Sequence, residues 1–260
     1  MPLRLPLAAT LALLWIAALP LAAQEEQPDQ VEDEVPPADQ LFADWDFSLS
    51  AGFAGSEGNS VSRSFNFQFK ATQEDEHKRW LFDNKYFYGS SDGTTNQNEF
   101  NSTLTRDWLE PDEPVFYFAK GIYDYDQFEP WKHRASAFGG AGYEFIKRDD
   151  LALVGRLGAG VTKEFGDEAD ELRPEGLIGL ELLRWHITET QNLTAATTLY
   201  PDLGDFPESR IVSNVEWTVD LDQADGLKLK LGLAHEYESE TEGDAKHNDL
   251  KYYGALTFDF

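Results

Sequence analysis

The chain contains no cysteine and a single methionine. A disulfide, a thiolate nucleophile, a cysteine-held zinc site and a cysteine-anchored lipid are all closed to it. Bases are scarce as well: 21 Lys and Arg stand against 48 Asp and Glu, a formal net charge of −27 over 260 residues. Phosphate-backbone affinity comes from clustered Lys and Arg, so this balance argues against a nucleic-acid partner. Beyond the N-terminus no stretch reaches the roughly 18 apolar residues that mark a spanning helix. Helical periodicity is nowhere sustained. If the mature chain enters a membrane, it does so as a closed barrel, because only helices and barrels satisfy every backbone polar group in lipid.

What is present begins with a secretory leader. Arg4 is its one base, an apolar run follows from Leu7 to Leu19, and Pro20-Leu21-Ala22-Ala23 puts small residues at the cut. The run is too short to span a bilayer, so cleavage is expected after Ala23. Gln24 to Leu41 carries seven acidic residues, no base, and Pro28, Pro36 and Pro37. Charge repulsion and missing apolar content predict a solvated, disordered linker over residues 24–41. With 41% hydrophobic and 13% aromatic residues, the remainder is too apolar to share that fate.

From residue 42 to residue 260 the dominant pattern is period-two alternation in segments of about ten residues, which is strand behaviour. Trp45, Phe47, Leu49, Ala51 and Phe53 alternate with Asp46, Ser48, Ser50 and Gly52; Leu227, Leu229, Leu231 and Leu233 alternate with Lys228, Lys230, Gly232 and Ala234. About twelve such segments follow one another, and an even count is what a single-chain bacterial barrel requires. Strands in soluble sandwiches are shorter, about five or six residues, whereas ten residues cross a bilayer at a tilt. The expected fold is therefore all-β: an antiparallel up-and-down transmembrane β-barrel. The weakest segments are the fourth, mostly polar from Asn96 to Asn101, and the eighth, where Pro174 should sit near a strand end.

Connections and rings point the same way. With a periplasmic N-terminus, Ser90 to Gln97, Asp126 to Lys132, Glu164 to Leu172, Pro201 to Ser209 and Glu238 to Asp249 become outer loops. The opposite turns, such as Lys147 to Asp150 and Asp222 to Gly226, are shorter on average. Trp45, Trp80, Tyr86, Tyr88, Trp108, Tyr123, Tyr125, Tyr143, Trp185, Tyr200, Tyr237 and Tyr252 fall toward segment ends, as the aromatic girdles of a membrane barrel do.

The last segment, with Tyr252, Gly254, Leu256, Phe258 and Phe260, resembles the assembly signal of Gram-negative outer-membrane proteins, an alternating final strand ending in Phe. Gly58 to Ser64, Lys78-Arg79-Trp80 leading to Tyr88-Gly89, Tyr123 to Asp126 with Phe128, and Arg134 to Tyr143 resemble the YdiY-like family of salt-induced outer-membrane proteins, a domain of unknown function. That resemblance spans about residues 45 to 260. It implies outer-membrane location and barrel architecture, with outer-membrane lipids, lipopolysaccharide and the assembly machinery as partners. It supplies no catalytic residues.

Catalysis finds little support. Lipid-modifying barrel enzymes place a His and a Ser two apart on one strand, so that both share a face. Among His77, His133, His186, His235 and His247 none has Ser two residues on; His186 has Thr188, at an expected periplasmic turn, and His133 with Ser136 project to opposite faces. The acidic stretches Gly166 to Glu171 and Glu238 to Asp244 lack the spacing of an EF-hand. No catalytic residue, cofactor or metal ligand is expected. The lumen is the informative place: Lys70, Lys120, Arg156, Glu216, Lys228 and Lys230 fall on polar faces, where they form ion-pair ladders that fill a narrow barrel or line a water path. The leading expectation is a monomeric barrel that is not an enzyme, structural or envelope-stress related, with narrow porin-like passage left open. An outer-leaflet lipid-modifying barrel and a soluble periplasmic β-carrier are the competing classes.

Overall fold

The computed structural model describes residues 42–57, 61–166, 170–206, 208–221, 225–240 and 246–260. The expected leader and acidic linker lie outside the described residues, as does most of both acidic stretches. Twelve strands follow in order: β1 (Asp46–Ser56), β2 (Ser62–Glu74), β3 (Lys78–Ser91), β4 (Thr94–Trp108), β5 (Val115–Asp126), β6 (His133–Lys147), β7 (Leu151–Phe165), β8 (Asp170–Thr188), β9 (Gln191–Pro201), β10 (Ser209–Asp220), β11 (Leu227–Glu238) and β12 (Asn248–Asp259). Each pairs antiparallel with its chain neighbours, and β1 pairs with β12 to close the barrel, Leu49 opposite Phe258 and Ala51 opposite Leu256. Closure leaves no sheet edge. No helix occurs among the described residues.

Alternation sorts the side chains in the reverse of a soluble core. On β7, Leu157 is 66% exposed while its neighbour Arg156 is 3% exposed; on β11, Leu229, Leu231 and Leu233 face out while Lys230, between them, is 2% exposed. Pairing register holds this sorting, because a slip of one residue would turn every charge into the apolar environment. Rings collect at both rims on the outer surface. At the rim that holds the start of β1 and the end of β12, here the terminal rim, Phe47 stacks on Phe260 at 5.6 Å and on Phe69 at 6.2 Å. At the far rim His133 stacks on Phe165 at 5.3 Å and lies 5.2 Å from Tyr125.

Three local expectations need correction. Ser90 to Gln97 is not a loop: pairing continues to Ser91 opposite Thr94, and the hairpin closes through Asp92-Gly93. Both have positive φ, 50° and 81°, the twist a two-residue hairpin demands and which Asp-Gly supplies with little strain. Tyr200 does not belong to a girdle; it is buried inside, with Arg210 over its ring at 4.5 Å. Pro174 lies within β8 and pairs with Val161. Its carbonyl accepts from Leu203 N, beyond the stretch where β8 and β9 pair regularly, so the ring interrupts no ladder bond there.

The outer face generates a testable expectation. Leu157→Lys places a base in the middle of the apolar belt, where it should cost about 2 to 4 kcal/mol in a bilayer and little in a water-exposed sheet. Denaturant unfolding of the variant in lipid vesicles measures this directly, and an unchanged midpoint would remove lipid from the outer face.

Candidate functional site

Inside the barrel, the half nearer the terminal rim holds two ion networks. The first is centred on Asp107 of β4, which is fully buried. Arg79 of β3 donates to it at 3.1 Å, and Arg156 of β7 donates to both of its oxygens at 2.5 and 3.0 Å. Arg79 also reaches Glu74 at 2.9 Å and Glu144 of β6 at 2.6 Å, while Arg156 and Lys120 approach Glu181 of β8 at 3.2 and 3.7 Å. The second is centred on Glu216 of β10, which meets Lys70 at 2.5 Å, Lys85 at 3.1 Å and Lys230 at 3.8 Å, and accepts from Tyr253 Oη at 2.9 Å. Lys230 donates to Ser50 and Gln68, both at 2.8 Å, and Asp83 lies within 4.0 Å of Lys70. Lys228 pairs with Asp220 and Asp259 at the terminal rim itself, at 3.2 and 2.9 Å.

The expected lumen charges Lys70, Lys120, Arg156, Glu216, Lys228 and Lys230 thus all project inward, into the two networks or beside them. Side chains from β1 to β8 and from β10 to β12 contribute. Counted over both networks, Arg79, Arg156, Lys70, Lys85, Lys120 and Lys230 balance Glu74, Asp83, Asp107, Glu144, Glu181 and Glu216. Such a balanced, hydrogen-bonded set is how charges survive away from water.

One sector of the interior was not legible as such. Phe116, Phe118, Phe138, Val154, Leu177 and Tyr200 form a buried apolar cluster on the inner face of β5 to β9. Phe116 lies beneath both guanidinium groups, 5.9 Å from Arg79 and 5.0 Å from Arg156. Gly142 makes the room: a Cβ there would stand 2.1 Å from the Phe116 ring. Gly232 does the same for Tyr253, whose ring would meet a Cβ at 2.2 Å and which must lie flat to reach Glu216. The glycines of β6 and β7 are the signal that could have announced the inward rings.

The lumen holds two cavities: one of about 400 Å³ runs from the far rim down past Lys120, Glu181, Lys70, Asp83 and Lys85 to Thr72 and Leu81, and one of about 560 Å³ lies at the far rim. Glu129, Trp131, Arg134, Tyr200, Arg210, Glu238 and Lys246 line both. Arg134 donates to Glu164 at 2.8 Å, Glu236 at 3.2 Å and Glu238 at 2.7 Å, and stacks over Trp131 at 4.2 Å. The larger cavity has eight carboxylates in its lining, Glu129, Glu164, Glu175, Asp202, Asp205, Glu208, Glu238 and Glu240, against Arg134, Arg173, Arg210 and Lys246. Partial burial, aided by Asp126, Glu238 and Glu236 and opposed by Arg134, pushes the Glu129 carboxyl up to about 7. At the same rim a hydrogen bond shared with Glu240 raises the carboxyl of Glu208.

The histidines build no hydrolytic centre with Ser136. His133 turns its ring outward among Tyr123, Tyr125 and Phe165, while Ser136 Oγ is 2.8 Å from Thr162 Oγ1 inside. Among the described residues no group of three or more His, Cys, Asp or Glu has the arrangement of a metal site. Tyr252, Leu256, Phe258 and Phe260 all point outward from the last turns of the chain, Tyr252 being 82% exposed.

A family model described as "Protein of unknown function, DUF481" matches residues 49–260, so the chain belongs to that family. No curated protein matches it. Among solved structures, the translocator domain of the autotransporter NalP from Neisseria meningitidis is 13% identical, with 83% of this chain and 86% of that one covered and a TM-score of 0.39. The NanC porin is 9% identical, with 82% and 98% covered and a TM-score of 0.47. A bacterial polysaccharide outer-membrane secretin is 8% identical, with 83% and 98% covered and a TM-score of 0.40.

Two measurements test the site. Asp107→Ala leaves two buried guanidinium groups without their shared partner and should cost about 3 to 5 kcal/mol in denaturant unfolding, whereas Glu76→Ala, exposed in the turn between β2 and β3, should stay within about 0.5 kcal/mol. For Glu129 the folded rim binds the proton more tightly than the unfolded chain. Its contribution to stability is therefore complete below the ordinary carboxyl value of 4.5 and lost as pH rises through about 7. Carboxyl-carbon NMR should show a midpoint near 7, and amide exchange over residues 127–132 should lose protection above it. Glu129→Gln should abolish that pH dependence.

Proposed function

We propose that this protein is a monomeric outer-membrane β-barrel, exported through a leader cut after Ala23, that is not an enzyme and whose lumen is sealed toward the periplasm by its own side chains. The observation that carries the reading is the electroneutral plug: six bases and six carboxylates from opposite walls, with Asp107, Arg79, Arg156, Lys230 and Glu216 all nearly or fully buried. The outward apolar belt and the two girdles support insertion in lipid, and a soluble carrier would have to expose that belt to water. The orientation we propose rests on the connections, which are longer on average at the far rim than at the terminal rim. The terminal rim faces the periplasm, the far rim faces outward, and the exposed final strand with Tyr252, Leu256, Phe258 and Phe260 serves as the assembly signal.

A plug of this kind permits no diffusion of solutes while its pairs hold. The role is structural within the envelope, in the setting of envelope stress, and any passage needs rearrangement of the Asp107 or Glu216 centre. Fractionation with heat-modifiable gel migration tests insertion, and planar-bilayer recording tests the seal. The unaltered barrel should show no steady conductance. The double variant Asp107→Ser with Arg156→Ser removes both partners of the central pair, leaving Arg79 with Glu74 and Glu144, and should give discrete conductance steps. Steady conductance by the unaltered protein would overturn the seal, and periplasmic solubility without detergent would overturn the membrane reading.

A further inference from the structure

We infer that the far-rim junction of the two cavities is a binding site for a small zwitterion, with its carboxylate on Arg210 and its ammonium on Asp124. The inference rests on the barrel reading above only in taking the far rim as the accessible one. Arg210 is 7% exposed, lines both cavities, and is held by ion pairs too long for hydrogen bonds, 3.8 Å to Glu175 and 3.6 Å to Glu236. Its Nη2 has no hydrogen-bond partner, and neither has the buried Nε1 of Trp131, which lines the same two cavities. A buried guanidinium in this condition calls for a charge-assisted acceptor, and a carboxylate matches its fork. Arg134, also buried there, stands close enough to Arg210 to repel it. Glu236 pairs with both, at 3.2 Å and 3.6 Å, without filling the Arg210 Nη2 donor.

A free anion is nevertheless a poor occupant. The approach from the larger cavity passes eight carboxylates against four bases. On the other side of the junction, Asp124 accepts from Asn101 through one oxygen at 2.6 Å, while its buried Oδ2 has no partner. An unfilled anionic acceptor near an unfilled cationic donor is the complement of a molecule that carries both charges. A free cation would leave the Arg210 Nη2 donor unfilled, and a free anion would leave the Asp124 Oδ2 acceptor unfilled. A compound with an ammonium and a carboxylate answers both and adds no net charge to the acidic mouth; an α-amino acid is the simplest of the class. Cavities of about 400 and 560 Å³ have room for it.

Ligand-observed saturation-transfer NMR on the full barrel in a non-ionic detergent tests this with four probes: L-alanine, its two halves propionate and ethylamine, and glucose. L-Alanine should saturate, with propionate and ethylamine about tenfold weaker and glucose silent. Arg210→Lys and Asp124→Asn should each weaken L-alanine by about fivefold or more, while Lys147→Ala leaves it unchanged. Variants count only if they keep heat-modifiable migration, and the four-probe comparison on the unaltered protein decides even if neither variant folds. No saturation by L-alanine, equal binding of either half, equal binding of glucose, or folded variants that bind as before would each overturn the site. Those outcomes leave the sealed-barrel reading standing, because that reading is judged by conductance and fractionation.

Discussion

Everything inside this barrel depends on a carboxylate that two arginines share. Asp107 accepts from Arg79 on one side and from Arg156 on the other, and all three are withdrawn from water. Moving such charges out of water costs several kcal/mol each, and the cost is offset only when geometry and partners are complete. Here the partners come from residues distant in the chain: Glu144 reaches Arg79 across 65 positions, and Lys230 reaches Gln68 across 162. Each pair therefore acts as a clamp on strand order and register as well as on the lumen.

That clamp explains why the exterior can be so plain. An outward surface of Leu, Phe and Val carries almost no information about which strand lies beside which, since one exposed apolar residue is much like another. Specificity has to come from within. A slip of one residue at β7 would expose Arg156 to lipid and bury Leu157 beside Asp107, so the charge network penalises every wrong register far more than the belt does. The small inward residues belong to the same design. Without Gly142 the Phe116 ring could not lie beneath the guanidinium groups, and without Gly232 Tyr253 could not reach Glu216.

Strand number, order, bounds and the in-out assignment were legible because alternation is a purely local signal and a barrel applies one rule to every strand. The observed strand ends stay within a few residues of the expected segments, including the polar fourth, where Asn98 and Asn101 bond to Gln127 and Asp124 on and just beyond the neighbouring strand β5. The six expected lumen charges were readable for the same reason. Their partners were not. Which of many carboxylates meets Arg156 depends on barrel curvature and strand stagger, and no spacing in the chain encodes that distance. Arg79 and Asp107, the centre of the network, each lie one residue from a strand end and were not among the expected lumen charges. Tyr200 failed as a girdle residue because ring position along a strand does not say which face it takes.

The interior also divides by charge along its axis, and the division has a consequence for how the two halves behave. In the half nearer the terminal rim the two networks carry equal numbers of bases and carboxylates, and the smaller cavity passes between Lys70, Asp83 and Lys85 on one side and Lys120 and Glu181 on the other. The far half is acidic, open and only partly satisfied, with spare donors on Arg210 and Trp131 and a spare acceptor on Asp124. Unsatisfied buried polar atoms are costly in a static structure. They occur in both halves, on Arg79 and Arg156 of the plug among others, but those that line a cavity belong to Asp124, Trp131, Arg173 and Arg210, and that access to open space is what separates a place able to take an occupant from a lumen that is merely filled.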